Sequence, residues 1–304
     1  MKNFFYIPLI ILIFSSCLKE HDIFYPYKKD KLTVLESLRG ENQYLVFKNS
    51  NGLEFTDGNG LVIQVDKNSF NSESDSIILQ WRQINSNRKI IADRLSMVEK
   101  SNYLISPATI IDFKFKDKKG NEIFLVQNKF INFSIPDTIF ENLSIFRYDH
   151  YKWIFSKSGQ DLISKHSWTV EIEGISVNKN GYLFKTQTPG IISLGKYLDK
   201  NWKSNEVLID MHESYNVGNS VVQMVFPDLK FNIELEWDNE KRAFKIPENF
   251  LLPDNKLNII VLSEDDNHNP YFGMKYAEIT DDHKIKVEVF KSKIEDIKDI
   301  LDKI

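Results

Sequence analysis

Cys17 is the only cysteine in the chain, and the residues before it are those that deliver a thiol to lipid-transferring machinery. Lys2 supplies a positive start, Phe4 to Phe14 (FFYIPLIILIF) form an apolar run, and the small pair Ser15-Ser16 stands directly before the cysteine. This is the layout of a cleavable secretory signal. The chemistry expected is cleavage after residue 16 and acylation of the Cys17 sulfur. The apolar run contains Pro8 and stops short of the about 20 residues that a spanning helix requires, so it is not read as a permanent membrane span. Two or more acyl chains on Cys17 would hold the chain to a membrane where a single chain is marginal.

The other reactive side chains form no standard catalytic pattern. The six histidines, His21, His150, His166, His212, His268 and His283, show neither HExxH nor another paired zinc spacing. The cluster Glu264-Asp265-Asp266-Asn267-His268 offers hard oxygen ligands for calcium, but it lacks the alternating spacing and central glycine of an EF-hand loop and reads as a solvated hairpin loop. His212 beside Glu213 has the types for a base and its orienting partner, with no nucleophile at an informative spacing. His166-Ser167 reads as surface linker. No GxSxG, GxGxxG or GxxxxGK[ST] occurs. The chain is therefore read as a non-enzymatic protein with no metal and no cofactor.

Among the five tryptophans, Trp81, Trp153, Trp168 and Trp237 sit mostly within apolar runs, where burial explains them. Trp202 is flanked by Lys200, Asn201, Lys203 and Ser204 and is the candidate ligand contact, as a stacking surface for a sugar. A net charge of −4 argues against a nucleic-acid partner, which demands clustered Lys and Arg. With Cys17 committed to lipid, no thiol is left for a disulfide, and stability must come from burial; 42% hydrophobic and 13% aromatic residues supply the material.

The elements that position these residues are predicted to be strands. Runs at Tyr44 to Phe47, Leu53 to Phe55, Leu61 to Val65, Ile77 to Ile84, Ile110 to Phe115, Ile123 to Val126, Phe130 to Ile135, Leu143 to Tyr148 and Tyr151 to Phe155 follow in quick succession. Asp57-Gly-Asn-Gly60 and Asp117-Lys-Lys-Gly120-Asn121 provide turn chemistry between them. A second series begins after Trp168, with runs such as Val221 to Phe226, Phe231 to Leu235 and Leu257 to Leu262. The fold class expected is all-β: two tandem antiparallel β-sandwich domains with a C-terminal amphipathic helix. The boundaries expected are a signal at 1–16, a lipidated cysteine and a tether ending in a short helix at 17–39, one sandwich at 40–160 and a second at 168–304, with Ser156 to Gln160 as the polar break. In the last helix Ser292 and Glu295 are predicted to form a capping box, with Ile294, Ile297, Leu301 and Ile304 as the docking stripe.

Two resemblances follow from these residues. The order Gly60-Leu-Val-Ile-Gln-Val-Asp-Lys-Asn-Ser-Phe70, the strand around Trp81, Phe113 to Asp117 with Gly120, Phe133-Ser-Ile-Pro136, and Ser144 to Phe146 leading to Trp153 resembles ZU5-like β-sandwich domains over residues 50–155. At the turn where that family carries Pro and Gly, this chain has Asp66-Lys67-Asn68. The resemblance implies a sandwich used as an interaction module. Lys19 and Glu20, directly after Cys17 and Leu18, are similar to the Lys-acidic export signal of Bacteroidetes surface lipoproteins, which implies an outer-membrane location; a solvated linker is the alternative. The reading is a membrane-anchored envelope lipoprotein acting as an interaction or assembly module, with a glycan-binding surface lipoprotein as the alternative. Its expected partners are the membrane, through Cys17, and an envelope protein or glycan.

Overall fold

Inward and outward side chains alternate most regularly in β4 (Ser76–Gln83) and β5 (Ile105–Lys116). Their antiparallel register places Trp81 opposite Phe113 and Leu79 opposite Phe115, so large apolar side chains share one face. In a computed structural model of the chain, the residues described are 32–73, 75–137, 142–156, 161–198, 207–229, 231–246, 256–278 and 283–304. Cys17, Lys19, Glu20 and Trp202 lie outside them. Among the described residues no helix is long and apolar enough to cross a membrane.

The fold is all-β. In the first sheet, β4 and β5 are neighbours between β1 (Gln43–Lys48) at one edge and β12 (Gly190–Tyr197), β8 (Ser144–Asp149) and β9 (Lys152–Phe155) on the other side. A two-residue strand, β6 (Glu122–Ile123), adds to β5. The second sheet runs β10 (Leu162–Ile172), β11 (Ile175–Thr186), β7 (Ile131–Pro136), β3 (Val62–Val65) and β2 (Leu53–Thr56). The two sheets close on a core that includes Ile63, Trp81, Phe113, Phe133, Tyr182 and Phe184. The Asp57 and Asp117 turns form as expected: each Oδ1 accepts two backbone N–H groups, and Gly60 and Gly120 take positive φ. Asn68 stands at φ 55, so an asparagine adopts the left-handed conformation that glycine more often supplies.

The expected domain boundary at 160–168 is corrected by three strands. β10, β11 and β12 all pair within the first two sheets, β11 on β7 and β12 between β5 and β8. The polar break hides this continuity because β10 and the start of β11 are largely exposed, so SKHSWT and SVNKN lack an apolar rhythm. The first pair of sheets therefore extends to Tyr197. His166 and Ser167 belong to β10 and not to a linker: Ser167 Oγ donates to Asn180 Oδ1 at 2.7 Å, and the His166 ring stacks on Trp168.

The second pair of sheets comprises β16 (Glu236–Asp238), β17 (Ala243–Lys245), β13 (Val207–Asp210) and β20 (His283–Lys286) in one, and β15 (Phe231–Glu234), β14 (Ser220–Phe226), β18 (Lys256–Glu264), β19 (Pro270–Glu278) and β21 (Phe290–Lys291) in the other. The pairing is antiparallel except between β13 and β20. Every residue of β14 is buried, and all of β18 after Lys256, because the larger sheet is covered on both faces. Val222, Met224, Ile259 and Val261 face the smaller sheet. Val221, Val225, Ile260 and Leu262 lie under three helices, α1 (Thr33–Leu38), α2 (Asn87–Ala92) and α3 (Ile294–Leu301). Burial on both sides turns alternation into a continuous apolar run.

The stripe of α3 docks on this sheet as expected, through Ile297 and Leu301. Its cap differs. Lys293 occupies the N-cap without a side-chain bond, and the Ser292 hydroxyl donates instead to the Phe290 carbonyl.

The tether expected to reach residue 39 ends sooner. Leu32, Val34, Leu35 and Leu38 are buried against β14, β18, α2 and α3, so residues 32–38 are part of the packed unit. Both ends of α1 are satisfied by distant parts of the chain. Glu264 Oε2 accepts from Thr33 N (2.8 Å), Thr33 Oγ1 (2.7 Å) and Val34 N (3.4 Å), and Arg88 Nη1 donates to the Leu38 carbonyl at 2.7 Å. An acid at the first turn and a base at the last complement the helix dipole.

Candidate functional site

The acidic loop 264–269 is the sequence candidate for a cation, and the carboxylate oxygens of Glu264 and Asp265 are already engaged. Glu264 caps α1, and His268 Nδ1 lies 3.2 Å from its Oε1. Asp265 Oδ1 accepts from the backbone N–H groups of Asn267 and Asn269, and both of its oxygens receive the Asn269 side chain. These bonds hold the Asp265 carboxyl below the usual carboxylate range, the Asn269 side chain first. The loop is a hydrogen-bonded turn that clasps α1. Among the described residues no three His, Cys, Asp or Glu side chains gather as a metal set.

A cleft of about 260 Å³ is lined by Ile209, Asp210, Met211, Glu213, Tyr215, Asn216, Trp237, Lys241 and Arg242. Three segments build it: the end of β13, the loop 211–219, and the turn between β16 and β17.

The loop 211–219 has little apolar content and is held by side-chain bonds to its own backbone. Asn216 Oδ1 accepts from Gly218 N, Asn219 Oδ1 from Asn216 N, and Asn219 Nδ2 donates to the Ser214 carbonyl. The loop is fixed to the body at Asn219, whose carbonyl accepts from Ser263 Oγ at 2.7 Å and from Glu264 N at 3.1 Å. The strand end that caps α1 thus also anchors one wall of the cleft.

The opposite wall is the β16–β17 hairpin. Asp238 Oδ1 accepts from Glu240 N and Lys241 N, and Lys245 Nζ lies 3.2 Å from Asp238 Oδ2. These contacts, the Lys241 amide first, hold the Asp238 carboxyl below its ordinary value. Arg242 follows at φ 49. The Trp237 indole N–H donates to Asn239 Oδ1 at 2.9 Å, and its ring meets Phe244 edge-on at 5.1 Å, so the indole is held before any ligand arrives.

Within the cleft, charged groups differ in their commitments. Asp210 pairs with Lys284 at 3.1 Å. Glu213 and Arg242 make no hydrogen bond or ion pair with any described residue. Burial, with Tyr271 beside it, pushes the Tyr215 phenol above its ordinary value, so at neutral pH it is an uncharged donor. A carboxylate and a guanidinium unpaired with described residues, a neutral phenol and the Asn216 amide around an indole form a hydrogen-bonding set for a polar ligand.

His212 and Glu213, paired in the sequence reading, do not act together. His212 Nδ1 accepts from Ser214 N and lies 2.9 Å from Ser214 Oγ, whereas Glu213 lines the cleft. Trp81 and Trp153 are buried as expected, and the Trp168 indole donates to the Gly60 carbonyl at 3.2 Å. Sequence reasoning missed Trp237, Arg242, Tyr215 and Asn216. The available signal was a tryptophan placed directly before the polar turn Asp238-Asn239-Glu240. No protein-family model matches the chain, and no curated protein matches it in sequence.

Proposed function

We propose that this chain is an exported lipoprotein, anchored to the outer membrane through acylated Cys17, and that its ectodomain is a non-enzymatic interaction or assembly module of the cell envelope. The observation that carries the binding role is the cleft at Trp237. Its walls are fixed by their own hydrogen bonds, while Glu213 and Arg242 line it unpaired with described residues. Prearranged walls lower the ordering cost of association, which suits a site made to hold a partner. The ZU5-like resemblance of residues 50–155 supports the same role. The partner is an envelope protein or, in the second reading, a glycan; the fixed indole in the cleft favours the latter.

The anchor rests on the signal layout before Cys17. Fourteen residues, 18 to 31, separate that cysteine from the packed unit beginning at Leu32, and they span at most about 50 Å when fully extended. The module would therefore work close to the membrane, with Lys19 and Glu20 as the proposed export signal. Metabolic labelling with a fatty-acid probe is expected to mark the wild type and not Cys17→Ala. Equal labelling of the two would refute the anchor.

A further inference from the structure

The geometry points to a ligand class for the Trp237 cleft: a single uncharged sugar ring, as the free end or a side branch of a glycan. This rests on the binding role proposed above and names what is bound. Size is the first reason. At about 260 Å³ the cleft lies just under the range of about 300 to 1,000 Å³ usual for small-molecule sites, so it takes one ring and not an extended chain.

Charge is the second. The lining carries two acids, Asp210 and Glu213, and two bases, Lys241 and Arg242, so a ligand of either net charge would be attracted by one pair and repelled by the other. Glu213 and Arg242 are both exposed, so an ion pair formed with a zwitterionic ligand would gain little through water. Neighbouring hydroxyl groups fit the pair better. A carboxylate accepts from two adjacent O–H groups, and a guanidinium donates to a hydroxyl or ring oxygen in a planar fork. The Tyr215 phenol and the Asn216 side-chain N–H2 add donors of no charge.

The indole is the third. Trp237 has its N–H bonded to Asn239, so what it offers a ligand is apolar ring surface. The C–H groups of a sugar ring match an aromatic surface beside polar groups, whereas a peptide segment would have to desolvate its backbone amides. One ring of this size binds in the millimolar range, and tighter attachment would come from several copies on one membrane.

The test uses the mature chain with Cys17→Ser. Saturation-transfer NMR is run against methyl glycosides of neutral hexoses and N-acetylhexosamines, with glycylglycine as the zwitterionic control. At least one glycoside is expected to receive saturation, strongest at its ring C–H protons, and glycylglycine is not. The signal should fall at least fivefold in Glu213→Gln and in Trp237→Ala. Glu213 is exposed and unpaired with described residues, so Glu213→Gln should keep the circular dichroism and melting temperature of the parent even if Trp237→Ala disturbs Phe244. Saturation of glycylglycine alone, of no glycoside, or of a glycoside equally in parent and Glu213→Gln would overturn the inference. If a photoreactive residue at position 215 still captures an envelope protein in cells, the binding role survives and only the ligand class falls.

Discussion

At the scale of single residues, the side chains that shape this molecule are mostly charged groups committed to structure. Asp161 is the clearest case. Its carboxylate is buried, receives Arg147 Nε at 2.8 Å and Nη2 at 2.6 Å, and accepts the Ser156 hydroxyl at 2.6 Å. Arg147 also reaches Thr186 Oγ1 and the Thr188 carbonyl, so one guanidinium ties β8 to the start of β10 and the end of β11. Burial alone would raise the Asp161 pKa; the Arg147 and Ser156 hydrogen bonds outweigh it and hold the carboxyl below the usual range. A depressed carboxylate adds stability at pH above its unfolded value, about 3.9, and that contribution is lost as the pH falls through the folded value. Asp161→Asn should therefore lower stability by about 2 to 3 kcal/mol at neutral pH, with the gap to wild type closing as the pH is lowered below about 4. Denaturant unfolding at pH 7 and pH 3 checks this, and a gap unchanged at pH 3 would contradict it. None of this was legible in sequence, because the polar residues around 156 to 161 look the same whether they form a linker or a bonded junction.

At the scale of elements, legibility followed burial pattern. The strands with one wet and one dry face, such as β4 and β5, and the doubly covered β14 and β18 were readable because burial imposes either alternation or a continuous apolar run. The exposed hairpin of β10 and β11 carried too weak a pattern, and β12 was missed although Ile192 and Leu194 are buried in its centre. The helix α2, and the packing that makes α1 part of the body, were hidden for another reason. Six residues give under two turns, too few for a visible period, and α1 is capped by Glu264, 231 positions away. What reads as charged tether is an element held by tertiary contacts. A chain starting at residue 40 loses the buried side chains of Leu32, Val34, Leu35 and Leu38, exposes part of β14 and β18, and leaves Glu264 without its helix. It should be less stable than a chain starting at residue 32 by about 5 kcal/mol, allowing for residual burial in the unfolded state. Thermal melts of the two chains measure the difference; equal melting temperatures would show that α1 contributes nothing.

At the scale of the whole packed unit, the two pairs of sheets share a core. Ile84, Met97, Leu104, Phe146 and Trp153 from the first join Val207, Met224, Phe231 and Ile259 from the second in one apolar cluster. Polar contacts cross the same junction. Arg94 pairs with Glu234 where both are almost buried, Met97 N donates to the Asn232 carbonyl at 2.8 Å, and Ser106 Oγ to the Leu229 carbonyl at 3.0 Å. A boundary crossed by a common core should not unfold in two steps. Tryptophan fluorescence and far-ultraviolet circular dichroism are expected to report one coincident transition, and Arg94→Leu, which removes the guanidinium that pairs with the Glu234 carboxylate, should lower its midpoint and cost about 3 kcal/mol. Two resolved transitions in the parent would contradict the shared core. Such a unit, separated from Cys17 by fourteen residues, would present the Trp237 cleft as a fixed part of one body rather than on a separate domain. The most direct test of a membrane-anchored binding module is photo-crosslinking in intact cells from position 215, in the cleft, beside position 176 on the exposed β11 segment. The result expected is a discrete adduct, protein or glycan, from position 215 that is absent from position 176 and lost in Cys17→Ala. Identical adducts from the two positions, or a position-215 adduct that persists undiminished in Cys17→Ala, would contradict it.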